Sequence, residues 1–352
     1  MLPADNDTAE QGNTHSPNSP PNSLEAGRLK MPETTNTLNP QQPQTTARLS
    51  GEVTGCAAVA QVSLFPRKIA LHDHEQNGYP NLALMKLSAW HKAQGDSVEW
   101  FSRLATYDVV YSAKIFTWTP PDPYLPATTV RGGTGFDVGA TLPDEVENML
   151  PDYGIYNCGK SYGFLTRGCI RSCPWCFVPK KEGMIRAHHD IEAFARHPEV
   201  VLMDNNVLAH PHGIAQIEKI ARLGLKVDFN QGLDARLIDD GIARLLGKVK
   251  WSPCVRLACD SAGMIEPVRK AVELLRWHNV TPARYFCYVL VKDVPEAAER
   301  VRALKGMYVD PFCQPYRDMD GTEPTHEQRR FARWCNQRAI NKTIPWEDYK
   351  AA

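Results

Sequence analysis

From Gly163 to Gln314 the chain repeats one unit, a short apolar run followed by a stretch with apolar residues at helical spacing. The runs at Gly163–Thr166, Val200–Met203, Lys226–Asn230, Val255–Cys259, Arg284–Leu290 and Tyr308–Gln314 read as strands. Asp190–Arg196, Gly213–Leu223, Ile238–Leu246, Met264–His278 and Val294–Leu304 read as the helices between them. Strands separated by helices pair in parallel through right-handed crossovers, so the pattern excludes a sandwich and a helical bundle. Six units fall short of the eight of a closed barrel and predict a partial (βα)6 TIM-like barrel over residues 158–320. In such folds chemistry sits where the strands end, so the residues after each strand carry the argument.

A smaller α/β pattern precedes it. Lys68–His72, Val98–Phe101 and Asp108–Ile115 read as strands, Val130–Gly135 as a strand running into a glycine turn, and Asn81–Gln94 as a helix closed by Gly95. This predicts an open Rossmann-like domain over residues 65–157, with Leu142–Tyr156 crossing into the barrel. Residues 1–64 contain no Phe, Trp or Tyr and are rich in Pro, Asn, Thr, Ser and Gln, the composition of a disordered tail. Residues 321–352 form a helical extension. No apolar run approaches the length of a membrane span, and Met1–Asp7 lack the regions of a secretory signal, so the expectation is a cytoplasmic chain with no membrane partner. The 40 basic and 40 acidic residues cancel, leaving no global field for nucleic acid.

The ten cysteines are not arranged as a disulfide scaffold. Cys169-Ile170-Arg171-Ser172-Cys173-Pro174-Trp175-Cys176 puts three thiols in eight residues directly after the first predicted barrel strand. Three thiols suit a four-iron cubane with one iron left open, whereas a closed structural zinc site needs a fourth ligand. His188 or His189 can supply that ligand, which keeps a non-catalytic zinc- or cluster-stabilised binding protein as the alternative.

The Cys-x3-Cys-x2-Cys spacing, the aromatic Trp175 before the last cysteine and the place after the first of six βα units resemble the radical S-adenosylmethionine (SAM) enzymes. The nearest likeness is to members with a Rossmann-like, cobalamin-domain-like region ahead of the barrel. The resemblance implies that Cys169, Cys173 and Cys176 hold a [4Fe-4S] cluster whose open iron binds SAM. It implies reductive cleavage of SAM to a 5′-deoxyadenosyl radical that acts on an unidentified substrate, with a low-potential electron donor such as flavodoxin or ferredoxin. Trp175 would lie beside the adenine. Asp204-Asn205-Asn206 stand where the family has a Gly-Gly-Glu-like stretch that holds the SAM amino group, so they are carried over by place and not by letter. Gln231, in the polar run after the third strand, and Arg256, within the fourth, complete the expected cofactor contacts; Asp234 and Arg236 can equally form a structural bridge.

Cobalamin is disfavoured. His72-Asp73-His74-Glu75-Gln76-Asn77-Gly78 departs from Asp-x-His-x-x-Gly in both spacings, although Gly132-Gly133-Thr134-Gly135 resembles a turn that can approach a ligand. A tRNA-modifying sub-reading lacks a second cysteine triad in the front domain. Cys254, Cys259, Cys287 and Cys313 read as core residues rather than a second cluster. Arg329, Arg330, Arg333 and Arg338, interleaved with Phe331 and Trp334, support nucleic-acid contact only weakly, because a helix packing its aromatics inward explains the same letters.

Overall fold

The computed structural model describes residues 65–318 and 321–350, so the expected tail at 1–64 lies outside the described residues. Strand β1 (Lys68–Asp73) buries Ile69, Ala70 and Leu71 completely. Asn81 then caps α1 (Leu82–Ala93), its side chain accepting from the amides of Ala83 and Leu84. Gly95, at φ +84°, turns the chain into β2 (Ser97–Trp100), followed by β3 (Val109–Ala113), β4 (Val130–Gly132) and the single turn α2 (Asp144–Glu147). These strands make one parallel sheet in the order β2-β1-β3-β4.

The second series starts with β5 (Ser161–Gly163), not with the predicted Gly163–Thr166. Residues 166–167 form β6 (Thr166–Arg167) instead, and after α3 (Val178–Lys181) this pairs antiparallel with β7 (Arg186–Ala187). The reason lies at Asp204, which accepts the amides of Leu165 and Thr166 that a longer parallel strand would have used. The predicted helix at Asp190–Arg196 is one turn, α4 (Ile191–Phe194). Next come β8 (Glu199–Leu202), α5 (Pro211–Leu223), β9 (Lys226–Phe229) and α6 (Asp240–Leu246). The fourth strand is split into β10 (Lys250–Trp251), which pairs with β9, and β11 (Val255–Ala258), which pairs with β12 (Tyr285–Val291) across α7 (Ile265–Trp277). Helix α8 (Val294–Gly306) leads to β13 (Asp310–Pro315).

Apart from β6–β7 the pairings are parallel, in sheets ordered β10-β9-β8-β5 and β11-β12-β13. A bridge between Leu233 and Leu257, with the Leu233 amide donating to the Arg256 carbonyl at 2.8 Å, joins the two. The architecture is therefore mixed α/β with parallel sheets.

Alternation gives the second series two faces. Val200, Leu202, Val227, Phe229, Val255, Leu257, Cys287, Val289 and Val291 pack with Ile217 and Ile220 of α5 and Val268 and Leu275 of α7 into one core. Each such aliphatic side chain contributes about 1.5–3 kcal/mol on burial. Asp228, Arg256, Phe286, Tyr288 and Phe312 occupy the alternate positions. Cys259 lies in the helix-side core, whereas Cys254 lies beside Arg256, Asp228 and Arg284. The helical extension holds two helices, α9 (His326–Asn336) and α10 (Arg338–Thr343), because the chain breaks at Gln337 (ψ 88°). The break lets the Asn341 amide donate to the Cys335 carbonyl. Asn336 accepts from the Cys313 amide at 2.7 Å and donates to the Cys313 carbonyl at 2.9 Å. No helix among the described residues is long and apolar enough to cross a membrane.

Candidate metal centre

The cysteine loop leaves β6 through Gly168, whose φ of +83° is a left-handed conformation that glycine adopts without strain. A Cβ there would stand 2.3 Å from the Met184 carbonyl oxygen, so the position also needs glycine for space. Glu182 then fixes the loop from below. It accepts from the Gly168 amide at 2.7 Å and the Asn205 side chain at 3.0 Å, and pairs with Arg167 at 2.9 Å. The Cys169 amide donates to the Gly183 carbonyl, and a turn closed by the Cys176 amide on the Cys173 carbonyl brings the last two thiols round.

All three thiols are free; Cys169 and Cys173 are half-buried and Cys176 is exposed. Burial pushes the Cys173 and Cys176 thiols above their ordinary pKa, with the Arg236 guanidinium acting against it at Cys173. Cys169 Sγ receives the Arg171 amide at 3.3 Å and the Asn206 side-chain amide at 3.6 Å. Among the described residues, no group of three His, Cys, Asp or Glu side chains is arranged to hold a single metal ion. His188 and His189, the candidate fourth ligands, face elsewhere, at 3.2 Å from Glu147 Oε1 and 3.2 Å from Asn148 Oδ1.

The expected cofactor contacts divide. Asn206 is 3% exposed; its Nδ2 meets Cys169 Sγ, and its Oδ1 is buried with no partner. Asn205 is turned to Glu182. Asp204 Oδ1 is taken by the Leu165 amide, the Thr166 amide and the Thr166 hydroxyl at 3.1, 2.5 and 2.7 Å. Burial raises its pKa, against those hydrogen bonds. Arg256 has its partner inside the sheet, donating to both oxygens of Asp228 at 2.7 and 2.9 Å. That pair raises the guanidinium pKa. Gln231 is exposed. Trp175 is half-buried, with Lys292 Nζ 5.4 Å from its ring and 4.8 Å from that of Tyr316. Asp234 and Arg236 do pair, at 2.7 Å, and Arg171 joins them at 2.9 Å.

Sequence reasoning missed Asp228 and Glu182. The signal for Asp228 was present, as an acid between Val227 and Phe229 in an apolar run; Glu182 carried none.

In the front sheet the strand order reverses between β1 and β3, and open α/β sheets take ligands at the carboxyl ends there. The chain's own loop fills that crevice. His72 lies 3.0 Å from Ser112 Oγ and 3.4 Å from Asp122, while Glu75 accepts from Ile115, Phe116 and Thr119. The glycine turn serves the same packing, since a Cβ on Gly133 would stand 2.4 Å from the Lys114 carbonyl oxygen. Of the C-terminal arginines, Arg329 pairs with Glu323, Arg330 lies over Trp346 and Arg338 pairs with Asp310; Phe331 and Trp334 are buried.

No protein-family model matches this chain, and no curated protein matches it.

Proposed function

We propose that the protein is a radical SAM enzyme, with a Rossmann-like front domain and a partial (βα)6 TIM-like barrel. The observation that carries the reading is the Cys169–Cys173–Cys176 loop lying against Asn206 and Asp234, which follow the parallel strands β8 and β9, with Asn206 Nδ2 on Cys169 Sγ and its buried Oδ1 left open. Bound there, a [4Fe-4S] cluster with SAM would supply one-electron reductive cleavage of the sulfonium, releasing methionine and a carbon-centred radical able to take hydrogen from a substrate. Cys169, Cys173 and Cys176 hold the cluster. Asn206 Oδ1 accepts from the SAM ammonium, a bond that also satisfies a carbonyl whose orphaning costs about 1–3 kcal/mol. Asp204, with its carboxylate spent on Leu165 and Thr166, anchors the strand end and does not contact the cofactor. Trp175 flanks the adenine and, with Lys292 and Tyr316, narrows access for water. Arg256 and Asp228 line the inner face as a neutral pair. The front loop meets the barrel through Arg317, which lies 4.2 Å from the Trp118 ring, and serves as part of a lid. A flavodoxin- or ferredoxin-type donor supplies the electron.

The test is anaerobic. The chain is reconstituted with iron and sulfide, reduced with dithionite and given SAM. The expected result is about four irons per chain and 5′-deoxyadenosine, both lost in Cys173→Ala. Uptake of zinc but not iron, or full iron content in Cys173→Ala, would overturn the proposal.

A further inference from the structure

The side-chain amide of Asn206 has only one orientation its neighbours permit. Its Nδ2 lies 3.3 Å from Asp234 Oδ2 and 3.6 Å from Cys169 Sγ. An ionised carboxylate only accepts, and so does a thiolate, so turning the amide over would set its oxygen against both. Asp234 is itself held from the far side. Arg171 Nε reaches Oδ2 at 2.9 Å, and Arg236 reaches Oδ1 at 2.7 Å and Oδ2 at 3.1 Å. The Asp234 side chain is 6% exposed, and the arginines hold its carboxyl below the usual range against the opposing effect of burial. Two guanidinium groups therefore fix a carboxylate, the carboxylate fixes an amide, and the amide aims an N–H at one sulfur.

Resting on the reading above, we propose that Asn206 is a positioning residue that sets the reduction potential of the cluster through its N–H···S bond to Cys169. The physical ground is charge. Reduction adds an electron to a thiolate-ligated cluster, and a donor on sulfur stabilises the more negative state, which raises the potential. Asp234 adds a negative charge nearby, but Arg171 and Arg236 more than balance it, so the network works in the same direction. The role is separate from that of Oδ1 on the same side chain, and it is read without turnover.

The experiment uses the full chain, reconstituted anaerobically and titrated potentiometrically, with the EPR signal of the reduced cluster as the readout. Asn206→Leu removes the donor without adding charge, and Asn206→Asp removes it and sets a carboxylate against Asp234 and Cys169, which should move the midpoint further in the same direction. The expected result in either variant is wild-type iron and sulfide content with a midpoint shifted to more negative potential, and a smaller reduced fraction at a fixed dithionite concentration. Unchanged midpoints with intact clusters would overturn the inference alone. Failure of both variants to assemble a cluster that the wild type assembles would overturn it too, by making Asn206 purely structural. A wild-type chain that takes up no iron would overturn the parent reading and this inference together.

Discussion

Asp204 separates two roles that a buried acid at a strand end can play, and the apo protein distinguishes them. Replacing it with alanine leaves the amides of Leu165 and Thr166, both in fully buried residues, without an acceptor. Each orphaned amide costs about 1–3 kcal/mol, so the loss lies between about 2 and 6 kcal/mol. The Thr166 hydroxyl can rotate to another acceptor and is left out of the sum. Against the loss stands relief of the buried charge, which is large enough to raise the Asp204 pKa above 3.8 despite its hydrogen bonds. The net is thus at the lower end, about 2–3 kcal/mol, or a Tm lowered by roughly 3–5 °C at this chain length. Asp204→Asn should behave differently. The Thr166 amide and hydroxyl reach Oδ1, whereas the Leu165 amide is shared between Oδ1 and Oδ2 at 3.1 Å each, so an amide oxygen at Oδ1 keeps an acceptor for all three, loses one arm of the Leu165 bond and carries no charge to desolvate. Its stability should stay within about 1 kcal/mol of wild type. The assay is thermal unfolding of the cluster-free chain followed by circular dichroism. An unchanged Tm in Asp204→Ala would refute the tie to Leu165 and Thr166 and return Asp204 to the cofactor. A loss in Asp204→Asn as large as in Asp204→Ala would show that the charge, not the acceptor geometry, is what the fold needs.

Gly168→Ala places a Cβ 2.3 Å from the Met184 carbonyl oxygen at a φ of +83°, a strain of about 1–2 kcal/mol before the clash is counted. Iron content after reconstitution should fall well below wild type while the chain remains folded; full loading would show that the loop does not depend on this turn. At the joint between α2 and the second series, burial lifts Glu147, but His188 and Lys86 outweigh it and hold the carboxyl at about 2 instead of 4.5. A depressed carboxyl contributes stability above its unfolded pKa and loses it as pH falls through the folded one. Stability should therefore decline between pH 4.5 and about 2, by about 1–3 kcal/mol for a side chain 27% exposed. Burial and the neighbouring His188 lower His189 from 6.5 to about 4, which adds a loss as pH falls through that window. Glu147→Gln should flatten the lower part of the pH–Tm curve; an unaltered slope would show that the joint does not titrate as a unit.

The order of strands and helices was legible because period-2 runs and capped helices are local. Asn81 before α1 and Gly224 after α5 mark their ends in the sequence itself. The first strand of the second series was set too far along because its length depends on Asp204, 39 residues from Leu165. The same limit governed the site. The cysteine spacing could be read, and so could the need of Arg256 for a partner, but not that Asp228, 28 residues before it, supplies one. Nor could Gly132–Gly135 reveal what they approach, since the close contact is with the backbone of Lys114 on a neighbouring strand. Asn206 was placed by position in the series; its orientation came only with Asp234, Arg171 and Arg236.

A sheet that stops short of closure has a last strand with a free row of donors and acceptors, a template on which a second chain can grow. In β13 the prolines at 311 and 315 remove two amides from that row. Asn336 removes one more position, answering the N–H and C=O of Cys313 together with one carboxamide. A carboxamide has the donor and acceptor of a peptide group but no chain running through it. The outer strand thus meets an imitation of the neighbour it lacks, and one that cannot be extended. That lets the sheet keep an open edge without inviting its own copies to lengthen it.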